Sequence, residues 1–304
     1  MPGLKARLSR YLPDPLFVTL QQLRHTGRFL NLRNPRTFTD KLQWYKLYYR
    51  DPLMTRIADK LEVREYIREK GFAGLLNELY GVFDSVDTIP LASLPPSFVL
   101  KATHGSSMNI ICRDKRSVDW AASLARMQGW LDTNVYELAR EWAYKNIRPR
   151  VICEKYLENE GEGELLDYKI FCFDGKPEAT FVCTGRYGPG GVRYAAYDLD
   201  WQRIHVTKGK PVCDRDFDKP ATFPVMCKVA SALSKGFPFL RVDFYEVQRE
   251  LIFGELTLYP DAGLVPFKPD SYDRALGSLF RLPVRPVNFA RPDLQDSCGA
   301  EPRR

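Results

Sequence analysis

Apolar positions along this chain change their period part-way. In residues 40–50 (DKLQWYKLYYR) Leu42, Tyr45 and Tyr49 recur at helical spacing, with Thr39 or Asp40 as N-cap. Residues 55–70 (TRIADKLEVREYIREK) form the clearest amphipathic pattern and predict one helix that stops at Gly71. Residues 97–102 (SFVLKA) read as a short apolar strand after Pro95-Pro96, and HGSSMNIICRD adds a loop and a second strand, completing a hairpin. Helical spacing returns over 117–145, with Trp120, Leu124, Met127 and Leu131 on one face. From about residue 150 strands dominate: first 151–157, then 167–173 and 179–184 on either side of Asp174-Gly175, a strong two-residue turn signal. After a helix over 221–236 come the strands 240–247 (LRVDFYEV) and 251–259 (LIFGELTLY), joined by a short polar turn. The stretch from about 283 is rich in Pro and Arg and reads as a frayed tail. This order predicts an α+β protein of two lobes.

Composition narrows the classes without choosing one. Hydrophobic residues make up 44% and charged residues 27% of 304, close to the average for globular proteins. The net charge of +7 is spread out, with no like-charge run of the kind that binds nucleic acid, so no nucleic-acid partner is expected. A mild basic bias fits an anionic substrate or weak peripheral attraction to an acidic membrane surface, and fits neither in particular. The seven cysteines are odd in number and none has CxxC spacing, which argues against a zinc knuckle or a disulfide framework. Cys112, Cys153, Cys172 and Cys183 sit in apolar runs and read as buried thiols, favouring a reducing compartment. With no hydrophobic signal core at residues 1–17 and no stretch of membrane-spanning length, a cytoplasmic protein is expected.

Four groups of residues carry candidate chemistry. If the turn between the last two strands centres on Arg249, Asp243 and Glu255 face each other, and Thr257 shares the face of Glu255. Opposed carboxylates repel unless a cation lies between them, and magnesium is bound by one or two carboxylates plus phosphates. An exposed sheet face with both acids in water is the plainer alternative. Lys101 ends the apolar strand SFVL, and His104-Gly105-Ser106-Ser107 offers hydroxyls and successive N–H donors, as a phosphate-cradling nest does and as a simple polar turn also does. Glu154-Lys155-Tyr156-Leu157 could meet a purine edge through backbone groups, ahead of the acidic loop ENEGEGE. Lys169, on an apolar strand, would neutralise phosphate or pair with a neighbouring acid.

In this order the four groups resemble the ATP-grasp superfamily, and ADKLEVREY, VLKATHGSSMNI and VICEKYL are similar to segments of D-alanine–D-alanine ligases. The set NPRTFTDKLQWYKLYYRDPL, ADKLEVREYI, LKATHGSSMNI, DYKIFCFDGKP, YDLDW and VDFYEVQRELIFGELTLYPDAG, over residues 15–270, resembles the teichuronopeptide-biosynthesis, TupA-like branch, whose members occur with bacterial capsule and surface-polysaccharide genes. The resemblance implies an ATP-grasp fold of two α+β lobes clamping ATP: an N-terminal helical segment (1–60), a small lobe (61–150), a large lobe with the metal site (151–280) and a flexible basic tail (281–304). It implies Lys60 and Lys101 at phosphate, Gly105, Ser106 and Ser107 over the triphosphate, and Glu154, Lys155, Tyr156 and Leu157 around adenine. One of Glu160, Glu162 and Glu164 would meet ribose. Asp243 and Glu255 fall on the Mg2+ carboxylates, and Thr257 stands where the family has Asn, which bears on a second magnesium.

The reaction implied is a carboxylate–amine ligation through an acyl phosphate, joining an amino acid or peptide to a carboxylate such as a uronic acid of a polysaccharide precursor. Arg241 shares a strand face with Asp243 and suits acyl-phosphate oxygens. Arg186 and Arg193, in GRYGPGGVRYAAYD, could fold over an acidic sugar or belong to a plain surface loop. Three rivals stay open: a kinase on the same scaffold, a non-catalytic binding module, and a glycosyltransferase using Asp198-Leu199-Asp200 as a metal motif.

Overall fold

The computed structural model describes residues 11–158, 165–185 and 191–283. The apolar residues collect into two cores, each built on an antiparallel sheet. The smaller sheet contains β1 (Leu79–Phe83), β2 (Phe98–Ala102), β3 (Asn109–Cys112) and β4 (Val151–Lys155) in the order β1-β4-β2-β3. Phe98, Leu100, Cys112, Val151 and Cys153 fill its core under the helix Trp120–Leu131, whose Trp120 stacks on Phe98 at 5.8 Å. With a period of two, Lys101 and Glu154 are left on the other face.

The larger sheet runs β10-β9-β5-β6-β7-β8. Its strands are β5 (Asp167–Phe173), β6 (Lys176–Thr184), β7 (Arg193–Tyr197), β8 (Arg203–Ile204), β9 (Leu240–Val247) and β10 (Glu250–Thr257). The β5–β6 turn is Asp174-Gly175, as expected, with φ of 50° and 76°. The N-terminal helices α1 (Asp14–Thr26) and α2 (Phe38–Tyr48) are no separate unit. Phe38 of α2 inserts among Phe171, Phe173, Phe239, Phe267 and Phe280 with ring centroids 5.0–6.1 Å apart. Fully burying such a ring contributes about 1.5–3 kcal/mol.

Several expected boundaries move, each for a physical reason. The N-cap of α2 is Thr37, whose hydroxyl accepts from Asp40 N at 3.0 Å, and not Thr39 or Asp40. The single helix expected over 55–70 is two, α3 (Pro52–Ala58) and α4 (Glu62–Glu69). Asp59 breaks it: its Oδ1 accepts from Leu61 N at 2.8 Å, capping the new helix and leaving Lys60 in the break. The stop at Gly71 holds, with φ 84°. The pattern over 117–145 gives α5 (Trp120–Leu131), α6 (Tyr136–Ala139) and a 3-10 turn (Trp142–Tyr144). The helix over 221–236 is α7 (Phe223–Ser234), and α8 (Asp270–Leu279) closes the large core. Because β4 pairs with β1 and β2, the residues expected to open the large lobe complete the small one, and the sheet boundary falls after Lys155. The tail from 284 lies outside the described residues.

Candidate functional site

Three adjacent strands build the charged centre of the large lobe. Asp243 on β9 lies opposite Glu255 on β10 and Lys169 on β5, and Arg241 lies opposite Thr257. The predicted facing of the two acids is correct, but the turn is Gln248-Arg249, both at positive φ, and not a turn centred on Arg249. That turn alone would set Glu255 one residue out of register. A bulge at Gly254 restores it, and a Cβ there would lie 2.9 Å from the Asp243 carbonyl oxygen.

Arg241 supplies the positive charge that two facing carboxylates require. Its Nε donates to Asp243 Oδ1 at 2.7 Å, and its Nη2 reaches Asp243 Oδ2 at 2.6 Å, Glu255 Oε1 at 3.0 Å and Thr257 Oγ1 at 2.9 Å. Lys169 pairs with Asp243 Oδ2 and with Asp167 Oδ2, the latter at 2.7 Å, so the acid-pairing alternative describes its contacts. Burial works against the Lys169 charge, but Asp167 and Asp243 outweigh it and raise its pKa. Burial likewise raises Asp243, against the pull of Arg241 and Lys169. Thr257 donates to Glu255 Oε1 at 3.2 Å and so orients that carboxylate.

Magnesium fits this donor set. Asp243 is 1% exposed, while the Glu255 side chain is 38% exposed and opens the cluster to solvent. Among the described residues no three His, Cys, Asp or Glu side chains gather as a protein-only metal cage. That suits an ion taking its remaining ligands from phosphate and water.

The small sheet contributes Lys101, and Lys60 stands between two helices packed on the large core. Lys60 sits in the α3–α4 break, its backbone N–H bonded to Thr103 O at 3.0 Å and its Nζ donating to Gly105 O. Burial lowers its pKa, while Glu255 pulls it up and Lys101 lowers it further, so the three charges share one field. A Cβ at Gly105 would meet Met108 Sδ at 2.7 Å and Val135 Cγ2 at 3.1 Å, so a larger residue there would have to displace the Met108 side chain. Ser106 and Ser107 are exposed at the loop tip, Ser107 with φ 59°. His104 departs from expectation: it is buried, with Nε2 2.9 Å from Trp130 O, and anchors the loop from beneath.

Glu154 has a buried side chain whose oxygens take Arg64 Nη1 at 2.9 Å and Lys101 Nζ at 2.7 Å, so the carboxylate positions Lys101, a role beside the backbone one expected of it. Lys155 is exposed and uses its backbone to bond Glu78 O and Asn77 Nδ2. Tyr156 hydroxyl accepts from Arg113 Nε at 3.0 Å, and Leu157 is half-buried next to it.

Other candidates stand apart. Arg193 is exposed at the start of β7, 4.0 Å from Asp214. Arg186, Glu160, Glu162 and Glu164 lie outside the described residues. Asp198-Leu199-Asp200 forms a tight turn in which Asp198 Oδ1 accepts from Gln202 N at 2.7 Å. A cavity of about 650 Å³ beside Tyr168, Phe217, Glu246 and Arg249 includes none of the expected site residues. Three features are not singled out by the sequence pattern above: Arg64, which lies inside ADKLEVREY, the pair Arg150–Asp59, whose 3.1 Å contact braces the Lys60 break, and Lys208, which pairs with Asp261. An arginine or lysine inside an otherwise apolar helical stripe was the available signal for Arg64.

A family model described as TupA-like ATPgrasp matches residues 40–281, most of the chain. The chain belongs to the TupA-like ATP-grasp family. Its fold is therefore the ATP-grasp fold, with the two sheets as the two lobes. Solved structures similar to it include an L-amino acid ligase from Bacillus licheniformis (12% identity, 78% of this chain and 56% of that one, TM-score 0.47). They also include a D-alanine–D-alanine ligase from Bacillus anthracis complexed with ATP (14% identity, 67% and 55%, TM-score 0.37) and one from Helicobacter pylori (13%, 81% and 68%, 0.43). The chain spans little more than half the length of the first two. No curated protein matches it.

Proposed function

We propose that this protein is an ATP- and Mg2+-dependent carboxylate–amine ligase that works through an acyl phosphate. The observation that carries the reading is the centre made of Asp243, Glu255 and Arg241, with Lys60 in electrostatic reach of both Glu255 and Lys101, in a chain of the ATP-grasp family. Phosphoryl transfer asks mainly for positioning and charge neutralisation, and both are built in here. Magnesium held by Asp243 and Glu255 would neutralise β- and γ-phosphate oxygens. Lys101, oriented by Glu154, and Lys60, held in its helix break, would face the phosphates. The Gly105–Ser107 segment would cover them, and Arg241 would turn its fork to the acyl-phosphate oxygens.

We take the acceptor to be a uronic acid of a bacterial surface polysaccharide or its precursor, and the donor an amino acid or peptide, in the cytoplasm. The family's setting supports this. The test is a screen for ADP release with ATP and Mg2+, pairing uronic-acid sugars with amino acids, followed by mass analysis. An amide with inorganic phosphate is the expected product. A stable phosphoester would make the protein a kinase, and a preference for a sugar nucleotide over ATP would overturn the reading.

A further inference from the structure

Tyr259 to Gly263 follow β10 directly, and two successive residues, Asp261 (φ 51°) and Ala262 (φ 53°), hold the left-handed backbone that non-glycine residues rarely adopt. Such geometry persists only where the surroundings over-determine it. Here they do. Gln43 and Lys46 of α2 are wholly buried, and both are spent on this loop. Lys46 Nζ donates to Ala262 O at 2.9 Å and Gln43 Nε2 to Gly263 O at 2.7 Å. From the other side Lys208, 5% exposed, pairs with Asp261 Oδ2 and lies 5.3 Å over the Phe267 ring. Thr207 and Lys268 exchange backbone hydrogen bonds of 2.9 and 3.0 Å, which pins the Lys208 segment.

All this holds one carboxylate beside the charged centre. The Asp261 side chain is 36% exposed, and its Oδ1 takes no partner among the described residues. Burial acts against its charge, but Lys208, Arg241 and Lys169 outweigh it, so it stays ionised. We propose that Asp261 receives the ammonium group of the amine substrate, an α-amino acid or the N-terminus of a short peptide. This rests on the ligase reading above. A cationic amine must approach an acyl carbon next to Arg241 and Lys169, which repel it, and an ionised carboxylate with an open oxygen offsets that repulsion. The ammonium loses one proton to solvent. The amine lone pair then forms the C–N bond as the C–O bond to phosphate breaks, and the departing phosphate takes up the second proton.

The test is ligand-detected NMR on the full chain loaded with Mg2+ and the non-hydrolysable analogue AMP-PNP, using amino acids and their N-acetyl forms. Asp261→Asn alone strands a buried lysine, so the neutral pair Asp261→Asn with Lys208→Met is measured beside it, with thermal melts of both. Expected is saturable binding of free amino acids, none of the N-acetyl forms, and a loss of at least about tenfold in the double variant at unchanged nucleotide affinity. Nucleotide binding with no amino-acid binding, or equal binding of N-acetyl forms, or a double variant that binds as wild type, overturns this inference alone. Failure to bind Mg2+–AMP-PNP overturns the ligase reading itself.

Discussion

Glu154 spends both carboxylate oxygens inside the small lobe, on Arg64 and on Lys101. Removing one partner of a buried pair costs about 3–5 kcal/mol, because the other charge is left uncompensated. Glu154→Gln should therefore lower the denaturant midpoint and also raise the KM for ATP, since Lys101 loses its brace. A raised KM with unchanged stability would mean that Glu154 touches the nucleotide. The two acids proposed to hold magnesium should differ as well. Asp243 also neutralises buried Arg241 and Lys169, so Asp243→Asn should lose both activity and stability. Glu255 is far more open, and Glu255→Ala should remove ATP turnover by about 10²–10³-fold with little change in Tm. Steady-state rates beside thermal melts separate the two outcomes.

Among elements, the β9–β10 hairpin shows what the amino-acid order reveals and what it hides. Alternation placed both acids on facing strands, and it did so through a turn centre that is wrong by half a residue. The compensating bulge at Gly254 leaves no periodic trace, because glycine fits either a strand or a bulge. Gly254→Val should shift the register and remove metal binding while the sheet still forms, which Mn2+ binding and circular dichroism would check. The α3–α4 break was hidden for a similar reason: apolar spacing runs through Asp59-Lys60-Leu61, and only the carboxylate cap interrupts it. The side-chain partners of Glu154 and His104 were hidden because polarity on a strand or loop gives the residue and not its partner.

Lys46 of α2 and Glu141, which precedes the 3-10 turn, interact through their charges and carry a pH signature. Burial lowers the Lys46 pKa from 10.5 to about 8 and raises that of Glu141 from 4.5 to about 7. From pH 4.5 to about 7 the folded protein keeps a proton on Glu141 that the unfolded chain has lost, so stability falls as pH rises. From about 8 to 10.5 the unfolded chain holds a proton on Lys46 that the folded protein lacks, so stability rises. Urea midpoints should show a trough near neutral pH that Lys46→Met with Glu141→Gln fills. The same trough in both proteins would contradict this.

At the scale of the whole molecule, the proposed site draws Lys101 from the sheet of the small core, and Lys60, Asp243 and Glu255 from elements packed on the large one. The α+β class and the two-lobe plan were legible from the change of period, and the family resemblance agreed with them. Where the lobes divide was less legible, because β4 reads as the first of many later strands yet pairs backward with β1 and β2. Phe38 was equally unmarked in sequence, and its place among five rings makes the N-terminal helices part of the large lobe. Phe38→Ala should cost about 3–5 kcal/mol and destabilise the large lobe first, as hydrogen exchange would show. The account's central claim is that a magnesium nucleotide is gripped between Lys60 and Lys101 on one side and Asp243 and Glu255 on the other. Calorimetric titration of the wild type and of Glu255→Gln with AMP-PNP, with Mg2+ and with EDTA, tests it most directly. The account predicts Mg2+-dependent binding that weakens by about tenfold or more in the variant, a loss of about 1.4 kcal/mol or more. Binding that ignores both Mg2+ and the substitution would contradict it.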